Sequence, residues 1–375
     1  MSLKRQLLDR ISATGSLSFA DFMAAALYDP FHGYYASGKA RIGRSGDFYT
    51  AVSSGPLFGR LLARQFIQMW ELLNRPAQWT LVEQGAFDGR LSADILEALR
   101  DFSPECLAAT ILRIVEPFSL FQSRQAATLR PFSSQVIWHR DVNALPLFCG
   151  VHFSNELLDA FPVHRVRRGP EGWEEMRVTS KEGSLQWQSA PINDGALKAA
   201  VTEIQVPEEP FLTEINLTHR PWLEALANRL QRGWILTFDY GMSSPELTAA
   251  HRKEGTAAAY RAHQRALDLL AEPGDQDLTA HVNFTAVVRT ALKLGLSLAT
   301  FTDQHRFFTG LAPLHFEDAT APISPAQQHE LLAFRTLSHP QLMGFQFKVL
   351  CLSKEVDRKI SGAQYARNPA EALGV

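Results

Sequence analysis

Seven short apolar segments, several of them alternating with stretches of helix length, set the strongest limit on how this chain can fold. They are TLVEQ (80–84), ILRIVE (111–116), QVIWH (135–139), GVHFSNE (150–156), WILTFDY (234–240), LSLATFTDQ (296–304) and FQFKVLCLS (345–353). Helix-like stretches fall near 90–100, 118–130, 221–231 and 283–294. Short apolar strands separated by helices argue for a parallel sheet covered on both faces.

Five βα units followed by two strands able to pair as a hairpin describe a class I methyltransferase (Rossmann-like) seven-stranded α/β sheet better than a dehydrogenase sheet. The flanking regions are expected to be additions. Leu3, Leu7, Leu8 and Ile11 share one helical face, and a second helix is expected to start near Ser18. Residues 28–59, rich in Gly, Ser and Tyr, suit an ordered loop, and 57–73 an amphipathic helix. This gives an N-terminal segment 1–75 of helices and loop, and a core 76–353. The core carries an antiparallel insertion at about 163–212 and helical insertions at about 242–280 and 305–342. The last residues, 354–375, read as a disordered tail.

A near-neutral charge of −2 gives no electrostatic reason to expect nucleic acid or an anionic membrane. No segment is apolar enough to span a bilayer, and the first residues lack the apolar run of a secretory signal. Cys106, Cys149 and Cys351 are too few and too scattered for a disulfide framework, and no histidine spacing suits a metal. A cytoplasmic location and a site without metal are the expectations. The oligomeric state is not legible.

Chemistry concentrates where the strands end. LVEQGAFDG places Glu83, Gly85 and Gly89 after the first strand, where a parallel sheet receives ligands. The spacing is neither the dinucleotide fingerprint nor a P-loop, so it suits a cofactor without a pyrophosphate, such as S-adenosylmethionine. A plain turn is the competing reading. Glu116 ends the second strand, where a carboxylate can accept ribose hydroxyls; a solvated strand-end acid is the alternative. Asp141 follows the third strand and either meets an adenine amino group or caps a turn. Asn155, Glu156 and Asp159 crowd the end of the fourth strand. Such a cluster can clamp a guanidinium and orient one nitrogen for attack, or can simply cap and solvate. In DLTAHVNF, His281 is either a proton acceptor or substrate contact, or part of a helix start.

Ordered along the chain are SFADFMAAALYDPFHGYY, GDFYTAVSSGPLFG, LVEQGAFDG, EPFSLFQSRQ, SNELLDAFPVHR, LTFDYG, YRAHQ, DLTAHVNFTA and MGFQFKVL. On these motifs, from about residue 15 to 353, the sequence resembles the S-adenosylmethionine-dependent methyltransferases related to the mitochondrial complex I assembly factor and its bacterial counterparts, the MidA family. The resemblance implies methyl transfer to a protein arginine side chain with S-adenosylmethionine as cofactor. It assigns Glu83, Gly85, Gly89 and Glu116 to the cofactor, and Gly46, Asp47, Phe48 and Thr50 to a lid over its methionine end. Asn155, Glu156 and Asp159 match the cluster after strand four, Asp239, Tyr240 and Gly241 the motif of strand five, and Asp277, Thr279, His281, Val282 and Phe284 a later one. Two positions depart from the family. Phe87 stands where the loop usually has glycine, and Ala51-Val52-Ser53-Ser54 replaces a Ser-Pro-Glu-like run. An assembly protein that has lost turnover and a small-molecule methyltransferase are the alternative functions.

Overall fold

The computed structural model describes residues 2–39, 52, 55–206, 209–261, 264–316 and 325–375. The chain divides into two compact units. One comprises Met1–Tyr49, Leu158–Pro221 and Met242–Asn283; the other comprises Thr50–Leu157, Trp222–Gly241 and Phe284–Val375.

In the first unit, α1 (Leu3–Thr14) buries Leu3, Leu7 and Ile11, as their spacing predicts. Helix α2 (Phe19–Tyr28) begins at Ser18, whose hydroxyl accepts the Asp21 N–H at 3.0 Å. Antiparallel strands follow at His164–Gly169, Gly172–Lys181, Ser184–Pro191 and Phe211–Ile215. They also recruit Leu17–Ser18, which pairs with Val178 and Arg177. Val166, Leu197 and Val201 pack with Ile192 and Ile215 beneath them. The segment expected to be helical at 242–280 is different. A four-residue helix, Ser244–Leu247, is followed by a three-stranded antiparallel sheet of Ala258–Arg261, Gln264–Ala266 and Asp277–Thr279. Local helix propensity there gives way to pairing between residues nearly twenty apart, in which Tyr260 faces Asp277.

The second unit holds the seven-stranded sheet. Its strands are β1 (Trp79–Gln84), β2 (Thr110–Val115), β3 (Val136–His139), β4 (Phe148–Asn155), β5 (Leu230–Met242), β6 (Ser297–Asp303) and β7 (Phe347–Lys354). They lie in the order β6-β7-β5-β4-β1-β2-β3. Strands β1 to β5 run parallel, while β7 lies between β5 and β6 and is antiparallel to both. This is the expected class I sheet. Helix α3 (Leu57–Leu72) covers it with Phe66 on Phe153 and Phe58 on Phe238, at ring distances of 5.2 and 5.3 Å. Helices α4 (Arg90–Phe102), α5 (Ser119–Thr128), α6 (His219–Arg229), α7 (Phe284–Lys293), α8 (Gln304–His315) and α9 (Pro325–Ser338) follow in order. The last two lie within 305–342. Two glycines let the central strands meet. A Cβ at Gly150 would stand 1.9 Å from the Thr80 carbonyl oxygen, and one at Gly233 would stand 1.9 Å from that of Gly150.

The tail is ordered, contrary to its reading as disordered. The Ser361 and Gly362 amides donate to Gln68 and Gln65 of α3 at 2.8 and 2.9 Å. Helix α10 (Pro369–Leu373) buries Leu373, whose carbonyl accepts the Thr285 hydroxyl. Docking through main-chain groups, Ile360 and Leu373 leaves no periodic apolar signal in a short polar sequence. Leu373→Ala should therefore destabilise the protein by about 2–5 kcal/mol in urea denaturation. A loose tail would leave the midpoint unchanged.

Candidate functional site

Strand β1 ends in the buried carboxylate of Glu83, which accepts the Ser92 hydroxyl from α4. Burial outweighs that hydrogen bond and raises its pKa to about 7, with Asp88 and Asp94 adding to the rise. The turn that follows needs three left-handed residues: Gly85 (φ 79°), Phe87 (φ 46°) and Gly89 (φ 81°). A left-handed backbone costs a non-glycine residue about 1–2 kcal/mol. Phe87 offsets this by packing its ring on Phe121 of α5 at 5.4 Å. Gly89 is required twice, since a Cβ there would come within 3.2 Å of the Gln125 Cα. Gly85 is exposed.

Glu116, one residue past β2, is 6% exposed, and burial raises its pKa. One oxygen accepts the Phe118 amide at 2.9 Å and the other the Gln125 carboxamide at 3.1 Å. The same Gln125 nitrogen also donates to the Phe87 carbonyl, and the Gln125 oxygen accepts the Trp138 indole N–H. One buried side chain thus joins the strand-end acid, the glycine turn and β3. Sequence reasoning passed over Gln125, although it closes the EPFSLFQSRQ stretch. Asp141 takes the capping alternative: it is exposed, and its carboxylate accepts the Ala144 amide at the start of a short 3₁₀ turn.

At the end of β4, Glu156 sits at φ 53°, again a conformation that favours glycine. Its amide donates to the Phe238 carbonyl, and the Asn155 carboxamide donates to its side-chain oxygen at 2.9 Å. The buried Asp239 accepts the Leu157 and Tyr240 amides at 3.1 and 2.8 Å, which pins this turn from β5. The sequence grouped Asp159 with these residues, but it belongs to the other unit. There its carboxylate accepts the Thr279 hydroxyl at 2.9 Å, and burial raises its pKa to about 6. Tyr35 donates to Asp277 nearby in the same unit, and Tyr28 to the Ala160 carbonyl. The His281 amide donates to the Thr256 hydroxyl, and burial holds the imidazole pKa below its ordinary value. Gly46, Asp47, Phe48 and Thr50 lie outside the described residues. Among the described residues no group of three metal-ligating side chains occurs, and no helix is long and apolar enough to cross a membrane.

These residues suit an adenosyl cofactor. An ionised carboxylate has about four lone-pair positions. Glu116 uses two on protein donors, leaving capacity for two hydroxyls, and the exposed Gly85 offers main chain without a side chain in the way.

Residues 61–302 match a family model described as “Putative S-adenosyl-L-methionine-dependent methyltransferase”. The chain belongs to this family, and its cofactor is S-adenosylmethionine. It is 27% identical over 399 residues to the Mus musculus protein named “Protein arginine methyltransferase NDUFAF7, mitochondrial”, covering 98% of this chain and 87% of that one. The Homo sapiens protein of the same name is also 27% identical, over 98% and 86% of the two chains. A Burkholderia thailandensis crystal structure, of a methyl transferase candidate bound to S-adenosyl-homocysteine, matches with a TM-score of 0.87. It is 28% identical over 98% of this chain and 95% of that one.

The buried acid gives a direct test. Glu83 holds its proton up to a pKa of about 7 when folded, against 4.5 for a free carboxyl. The folded state therefore binds more protons between these values, and Glu83 destabilises the fold as pH rises through that window, by about 3 kcal/mol in all. Glu83→Gln should flatten the fall in urea stability between about pH 4.5 and 7. An unchanged slope would assign the dependence to other groups.

Proposed function

We propose that this member of the S-adenosylmethionine-dependent methyltransferase family methylates a guanidinium nitrogen of an arginine in a protein substrate. The observation that carries the reading is Glu156: a carboxylate held in a left-handed backbone at the carboxyl end of β4, and fixed there by Asn155 and by the Phe238 carbonyl. Strain of this kind persists where the surroundings over-determine it, as at functional sites. The arginine methyltransferase names carried by the Mus musculus and Homo sapiens relatives support the same choice.

Bound S-adenosylmethionine supplies a methyl group on a sulfonium, which leaves as a thioether. Glu116 accepts the ribose hydroxyls, and the Gly85–Gly89 turn borders the cofactor with main chain, Glu83 bracing it from below. Asp141 is not needed for adenine in this reading, because its carboxylate already caps a turn. Glu156 accepts N–H groups of the guanidinium and so turns one nitrogen toward the methyl. The new N–C bond forms as the S–C bond breaks, and the nitrogen then sheds one proton. That proton leaves a cation already held by a carboxylate, so a weak acceptor suffices.

Two measurements check this. Glu116→Ala should weaken S-adenosylmethionine binding about 10- to 100-fold in isothermal titration, the loss of charge-assisted hydrogen bonds. Glu156→Gln should retain cofactor binding yet lower transfer of labelled methyl into arginine by about 10²-fold. Label appearing in small-molecule extract rather than in protein would overturn the arginine reading, and wild-type protein that binds no cofactor would overturn turnover altogether.

A further inference from the structure

Gln84 closes β1, between the buried Glu83 and the left-handed Gly85. Its carboxamide oxygen receives two hydrogen bonds, from the Trp222 indole N–H of α6 at 2.9 Å and from His152 Nε2 of β4 at 3.2 Å. An indole nitrogen only donates, so the atom it meets is the oxygen, and His152 Nε2, facing the same oxygen, carries the ring proton. Burial holds the His152 pKa at about 3, so the ring stays neutral. His152 is fully buried and Trp222 is 9% exposed, so neither donor has water to turn to.

These two contacts fix the carboxamide in one of its two flips. The oxygen is taken, and Nε2 is left as the open end, with two N–H groups and no partner among the described residues. The side chain is half-buried, and this nitrogen is not sealed from solvent. Gln84, His152, Trp222, Glu116 and Glu156 all belong to the second unit.

The position in the sheet says what such a donor can meet. Glu116 follows β2, Glu156 follows β4, and β1 lies between those two strands. A cofactor with its ribose on Glu116 has to carry its methionine arm past the end of β1 to bring the sulfonium to a guanidinium on Glu156. Gln84 pairs with Ser154 of β4, and its side chain is held from β4 and α6 rather than from β2. The methionine arm ends in an ammonium, which only donates, and a carboxylate, which only accepts. A carboxamide nitrogen can serve the second alone.

We propose that Gln84 binds the methionine carboxylate of S-adenosylmethionine through Nε2, and that Trp222 and His152 are positioning residues that keep this nitrogen turned outward. The inference rests on the reading that places the ribose at Glu116 and the substrate guanidinium at Glu156.

The test is isothermal titration of the full chain at pH 8 with S-adenosylmethionine and with its decarboxylated analogue. The wild type should prefer S-adenosylmethionine by about 10-fold or more. Gln84→Glu keeps an oxygen for Trp222 and His152 but sets a repelling oxygen where the donor stood. It should weaken S-adenosylmethionine about 100-fold and leave the analogue bound as tightly as before. Trp222→Phe keeps an aromatic ring but frees the carboxamide to flip, and should cost S-adenosylmethionine alone about 3- to 10-fold. Equal wild-type affinity for the two ligands, or an equal loss of both in Gln84→Glu, overturns the proposal. Should Gln84→Glu not fold, Trp222→Phe decides on the same criterion. Glu116→Ala that weakens both ligands alike would uphold the ribose assignment even where the Gln84 selectivity fails. Glu116→Ala that changes neither would remove that assignment, while the Gln84 selectivity is still decided by its own comparison.

Discussion

The carboxamide of Gln125 is the contact on which the cofactor end of the sheet depends. It donates to both Glu116 and the Phe87 carbonyl and accepts from Trp138, all from a fully buried position on α5. Three chain segments that end separate strands are thereby held in one arrangement. A buried network of this kind rigidifies only when every member is satisfied, and here the carboxamide oxygen and nitrogen both are. The departure at Phe87 is tolerable for the same reason. Its strained backbone is held by the Gln125 bond, and its ring finds Phe121.

The acids at the strand ends share a physical state. Glu83, Glu116 and Asp159 are each pushed up by burial and relieved in part by a hydroxyl or amide donor. Among the described residues, no salt bridge engages any of the three. Carboxylates without a cationic partner are costly to ionise when buried and gain from each further donor. Asp239 is of another kind. Two main-chain amides use its oxygens, and its work is to hold the Glu156 turn in its left-handed form.

Much of this was open to reading in the residues. The strand segments, the strand-end position of Glu83, Glu116 and Glu156, and the antiparallel insertion follow from apolar periodicity and from where parallel strands end. The 242–280 segment did not, because its Ala-rich part pairs with Asp277–Thr279 within the same segment. The tail did not, because Gln65 and Gln68 receive it through its main chain.

What the sequence by itself determined is the α/β sheet, its seven strands and the acids at their carboxyl ends, because periodicity and strand termini are local properties of the chain. What only the tertiary structure decided is the state of those groups. Gln125 meeting Glu116 and Asp239 pinning the Glu156 turn are contacts between residues on different elements. Burial and hydrogen bonding, which set charge and tautomer, do not exist until the chain has folded.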